Sequence, residues 1–116
     1  MVAKEIRKQN RLEQLGSNDP VCVCCGETDW RCLELHHIAG KAFDDDLAIV
    51  CRNCHRKLSD DQRDHPKKVS AKPTSFESKG RFLLGLADLL ELIVKKLRVF
   101  GQDLIQAAQD GNIDHE

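Results

Sequence analysis

Residues 21–65 read VCVCCGETDWRCLELHHIAGKAFDDDLAIVCRNCHRKLSDDQRDH, and the cysteine spacing in this stretch decides the fold. Cys22 and Cys25 bracket two residues, and so do Cys51 and Cys54. A two-residue gap lets both thiolates of a tight knuckle face one ion, and Gly26 can turn backbone amides toward the sulfurs. Two such knuckles make a closed tetrahedral site, the geometry of structural zinc. The spacing predicts one zinc ion held by Cys22, Cys25, Cys51 and Cys54. Cys24 and Cys32 are expected to remain unligated, with a register in which Cys24 replaces Cys22 as the alternative.

Composition points the same way. The chain has 116 residues, four Phe, one Trp and no Tyr. That allows one compact domain plus an extra element. Apolar side chains between Pro20 and Pro66 are few and scattered, so a staple is needed and zinc binding contributes folding free energy outright. The start, MVAKEIRKQNRLEQLG, has no apolar signal-peptide core. No apolar run approaches the roughly 20 residues that span a bilayer. A cytoplasmic protein without a membrane segment is the expectation, and in a reducing compartment paired cysteines favour metal over disulfides.

Between the knuckles, Leu33 to Ile38 alternates as a strand does, and Leu47 to Val50 is a short apolar run, so a hairpin is predicted. Residues 52–63 would follow as a short helix carrying His55 near its start. Two strands and a helix pinned at one end by zinc would bring His36, His37 and His55 together. His65 and His115 read as ordinary structural histidines.

The flanks divide the chain further. Residues 1–20 give an N-terminal helix over 3–15 and a turn at Ser17 to Pro20; 21–65 form the zinc domain. Residues 66–80 have a linker's composition, although Thr74 and Glu77 carry the spacing of a capping box that would start a helix at about Ser75. Residues 81–116 hold an amphipathic helix and an acidic tail. Leu86, Leu90, Ile93, Leu97, Phe100 and Leu104 lie on one stripe, widened by Leu83, Leu89, Leu92, Val94 and Ile105. A helix about 40 Å long, at roughly 1.5 Å per residue, exceeds what so small a domain can cover. A homodimer or a larger protein partner through this helix is expected.

The net charge of −1 excludes no class of partner. Its distribution says more: Arg52, Arg56, Lys57, Arg63, Lys67, Lys68 and Lys72 face only Asp60, Asp61 and Asp64 across residues 52–72. A local basic stretch can contact phosphate on a near-neutral chain. Arg52, Arg56, Lys57, Lys67 and Lys68 are the candidate nucleic-acid contacts.

The string C-x-x-C-G, then L-E-L-H-H-I-x-G, then an apolar strand and C-R-N-C-H resembles the HNH endonuclease family. Within that family of ββα-metal nucleases it is similar to McrA-like and phage-type members that add a four-cysteine zinc site. The match covers about residues 21 to 65. The resemblance implies an α+β fold: a small zinc-stapled ββα-metal domain with flanking helices, the C-terminal one long and amphipathic. It implies DNA phosphodiester hydrolysis with catalytic Mg²⁺ or Mn²⁺ beside the structural Zn²⁺. By position, His37 matches the general base, while His36 and His55 match ligands of the catalytic ion. Imidazole suits a base at neutral pH, and a cation offsets charge on a leaving oxygen. One departure stands out. Asp46 occupies the place where the family usually has Asn and is by position the second candidate catalytic residue, holding His37 from its Nδ1 side. An ionised Asp cannot donate a hydrogen bond as an amide does, and the alternative is that it marks a slow or inactive enzyme. The expectation is a metal-dependent HNH endonuclease, acting by itself or as an effector subunit of a larger assembly. The alternative is a non-catalytic zinc module, binding nucleic acid or protein, with a degenerate HNH site.

Overall fold

The computed structural model describes residues 2–69 and 71–111; His115 and the end of the acidic tail lie outside them. Helix α1 spans Ala3–Leu15 and a single 3-10 turn spans Trp30–Cys32. Strands β1 (Leu33–His37) and β2 (Leu47–Cys51) follow, then helices α2 (Arg52–Gln62) and α3 (Ser75–Gln109). The described residues form an α+β fold with one two-stranded sheet and three helices, the last one long. None of these helices is long and apolar enough to cross a membrane.

β1 and β2 pair antiparallel, with Leu33 opposite Cys51 and His37 opposite Leu47. The Ile38 amide donates to the Asp46 carbonyl at 3.1 Å, which extends the pairing into the hairpin loop. The hairpin hands the chain directly to α2, because the Cys51 sulfur accepts from the Cys54 amide at 3.4 Å and so caps the helix. Leu33, Val50 and Leu58 are fully buried at the junction of sheet and α2, with Leu15 of α1 and Leu89 of α3 closing the core. It is a small core for the length of chain. The cysteine side chains Cys22, Cys24, Cys51 and Cys54 belong to it.

The residues with a linker's composition end earlier than 80. Thr74 Oγ1 accepts from the Glu77 amide at 3.2 Å, so residues 75–80 are the first turns of α3. Four orphan amides remain at any helix start, and a side chain that satisfies one outweighs local composition in fixing the boundary.

α3 docks through a face that apolar periodicity alone does not single out. Arg81, Gly85 and Leu89 are buried on it, and Leu86 and Leu92 pack at its margins. A Cβ on Gly85 would stand 1.7 Å from the Ile38 carbonyl oxygen, so the helix and hairpin backbones meet directly there. Arg81 lies 4.8 Å over the Phe43 ring and donates to the carbonyls of Pro66 and Lys67 and to Glu77. One buried guanidinium thereby joins hairpin loop, linker and helix.

Candidate metal centre and histidine cleft

The sulfurs of Cys22, Cys25, Cys51 and Cys54 all lie within 4.8 Å of one another. Each knuckle is built locally. The Gly26 amide donates to the Cys22 carbonyl at 2.9 Å, and Gly26 takes φ +83°, a region that costs other residues free energy. The Val23 amide donates to the Ile49 carbonyl at 3.0 Å, which fastens the first knuckle to β2 and so to the second. Cys25 and Cys51 sulfurs are 3.6 Å apart, well beyond the roughly 2.05 Å of a disulfide.

The electrostatics suit a cation. Burial works against the Cys22 thiolate, yet backbone hydrogen bonds from Cys51, Cys24 and Cys25 bring it down to about 7. Burial, followed by the crowding of neighbouring sulfurs, pushes Cys54 up, and Cys25 is raised in the same sense. Four adjacent thiols cannot all ionise unaided, and a bound divalent ion supplies the missing charge. The four cysteines could hold a metal ion such as zinc. Cys24 lies outside this group and is buried, and burial pushes its thiol up to about 12.

Of the three histidines, the structure brings two into ring contact. His36 and His55 sit edge to face with centroids 5.3 Å apart. Burial first, then the charges of His55 and His37, push His36 down to about 4, so it is neutral at neutral pH. Neutral imidazole is the form that binds metals. Glu34 is the participant that motif reading left without a role. The His55 Nδ1 donates to its carboxylate at 2.9 Å, so Nε2 is the nitrogen left to meet a ligand. Glu34 and His36 are two apart on β1 and share the face turned toward His55, while His37 faces the other way. The His37 backbone is held from α2, where Gln62 Nε2 donates to its carbonyl at 3.0 Å. The i, i+2 spacing of Glu34 and His36 was visible in the sequence; the partner across the fold was not.

Glu34 and His55 line a cleft of about 640 Å³ together with Glu27, Cys32, Arg52 and Arg56. Two of the basic candidates, Arg52 and Arg56, are therefore at its rim. Lys57 lines a neighbouring depression beside α3, and Lys67 and Lys68 stand exposed on the linker. Asp46 is exposed at the far end of the hairpin, where the Asp44 charge raises its carboxyl. Its backbone carbonyl, not its side chain, closes the loop onto Ile38. Glu27, Asp29 and Cys32 also gather within 4.8 Å, but Glu27 caps the Asp29 amide and Asp29 grips Arg31. Those contacts account for the turn. His65 donates its own support elsewhere, with Nε2 2.7 Å from Asp88 of α3 in a mostly buried pair.

Compared with known protein families, with characterised proteins and with solved structures, the chain matches none of them.

Proposed function

We propose that the chain is a metal-dependent endonuclease of the HNH type that hydrolyses DNA phosphodiester bonds, with zinc in the four-cysteine site as a structural staple. The observation that carries this reading is the antiparallel hairpin and helix that set the buried His36 ring 5.3 Å behind that of His55, which lines a cleft with Glu34, Arg52 and Arg56. His36 and His55 would hold Mg²⁺ or Mn²⁺, and Glu34 keeps His55 turned for that task. The divalent ion supplies positive charge against the leaving oxygen of the scissile phosphate. Arg52 and Arg56 bind the flanking phosphates. His37, the base that the resemblance implies, ends β1 on the opposite face, so it would take the proton of the attacking water only once that strand end turns toward the bound ion.

A second reading has one observation in its favour. The His37 ring makes no hydrogen bond to another described residue, and Asp46 turns its charge toward Asp44 rather than toward a histidine. A base without an orienting partner fits a zinc module that binds nucleic acid or protein and has lost its chemistry. A plasmid-nicking assay with Mg²⁺, Mn²⁺ or EDTA separates the two. Wild type should nick with either ion and not with EDTA, and His37→Ala should slow nicking by about 10²–10⁴-fold with the fold intact. Equal rates in wild type and His37→Ala exclude the catalytic role; DNA binding with no cleavage by wild type favours the second reading.

A further inference from the structure

Two apolar stripes run along α3; the domain covers one and touches the second only at Leu86. The docked stripe passes through Arg81, Gly85, Leu89 and Leu92. About 100° around the helix, one residue's turn, lies a second. Leu83, Leu90, Leu97 and Leu104 recur every seventh residue along it, with Leu86, Ile93, Phe100 and Ala107 three places after each. Those four leucines are 63, 51, 63 and 72% exposed, and Phe100 is 49% exposed. Such a repeat is the seam of a two-stranded coiled coil, and a strict seven-residue period on this face has no function in the docking of α3 onto its own hairpin.

The charges beside the seam say what covers it. Lys95, Lys96 and Arg98 form a basic group, and Asp103 and Asp110 an acidic one further along. Lys96 and Asp103 make no ion pair within the chain among the described residues. A parallel pair of helices would set the basic group beside its own copy. An antiparallel pair sets it beside the acidic group.

We propose that a second copy of this chain covers the stripe, antiparallel, over residues 90–107. Leu97 opposes the partner's Phe100, Ile93 opposes the partner's Leu104, and Leu90 opposes the partner's Ala107, each contact occurring twice by symmetry. With that register the residue before Leu97 flanks the residue three past the partner's Phe100, so Lys96 meets the partner's Asp103. On the opposite flank Gly101, which has open space around it, meets the partner's Val94 and leaves room for its side chain. The two zinc domains then stand at opposite ends of the paired helices. The inference is independent of the nuclease reading, since it uses no residue of the cleft.

Sedimentation of the full-length protein at tens of micromolar, with zinc in the buffer, tests it. Wild type should be a dimer and Leu97→Glu a monomer with unchanged circular dichroism, because Leu97 is exposed in the single chain. Lys96→Glu and Asp103→Lys should each raise the dissociation constant by about tenfold, and the double variant should recover most of the loss. A monomeric wild type overturns the proposal, and so does a monomer that floats with anionic lipid vesicles, which assigns the stripe to a lipid surface. Single variants that are not rescued by the double overturn the antiparallel register.

Discussion

The Glu34 carboxylate accepts a hydrogen bond from His55 Nδ1 at 2.9 Å, joining the middle of β1 to the first turn of α2. A carboxylate behind an imidazole fixes its tautomer and aim, and losing it typically costs 10–100-fold in metal affinity. Glu34→Gln should therefore weaken Mn²⁺ binding by about that factor while the zinc content stays constant. Titration followed by electron paramagnetic resonance measures it, and an unchanged affinity removes Glu34 from the site.

Cys51 both caps α2 and stands in the four-sulfur cluster. Cys51→Ser should lose zinc and cooperative folding together, because the apolar core is too small to hold the knuckles alone. Cys24→Ser should keep one zinc per chain, since Cys24 is outside the cluster. Elemental analysis and thermal melts of both variants give the answer. A metal-free protein that stays folded would falsify the staple.

The contact between Gly85 and Ile38 predicts opposite effects of one substitution at two places in α3. Gly85→Ala drives a methyl into the Ile38 carbonyl and should destabilise by about 1–3 kcal/mol. Gly80→Ala, in open space on the same helix, should stabilise by up to about 1 kcal/mol through helix propensity. Chemical denaturation of the two proteins compares them. Equal effects at both sites would show that α3 is not held against the hairpin.

Buried His36 makes stability depend on pH. Its pKa in the fold is about 4, lowered first by burial from the ordinary 6.5. The unfolded chain binds the extra proton between those values, so the stabilisation is complete above about 6.5 and is lost as pH falls through about 4. At most about 3 kcal/mol is involved, at roughly 1.4 kcal/mol per pKa unit. Wild type and His36→Gln share the acid sensitivity of the zinc thiolates, so the difference between their denaturation curves isolates the histidine. Parallel curves from pH 7 to 4 would rule out a neutral buried His36.

The local elements were legible in the sequence because each rests on neighbours along the chain. Leu33 to His37 alternates; Thr74 and Glu77 form a cap; Cys22, Cys25, Cys51 and Cys54 carry the knuckle spacing. The reach of the linker was misplaced where composition was followed and correct where the cap was followed. The pairing of His36 with His55 was foreseeable once a hairpin leading into a helix was inferred. The turning away of His37 follows from strand alternation, which a motif of adjacent residues does not display.

What the sequence by itself determined, then, is the set of elements and the four sulfurs, because periodicity, capping and knuckle spacing act over a few residues. The tertiary structure alone decided which stripe of α3 meets the domain. Leu83, Leu90 and Leu97 are as apolar as Leu89 and Leu92, and the choice falls to Gly85, where a missing Cβ lets the helix reach the Ile38 carbonyl. It also gave Glu34 its partner twenty-one positions away. Such contacts depend on how rigid elements fit together in space, and close packing of backbone against backbone leaves no periodic trace in the chain.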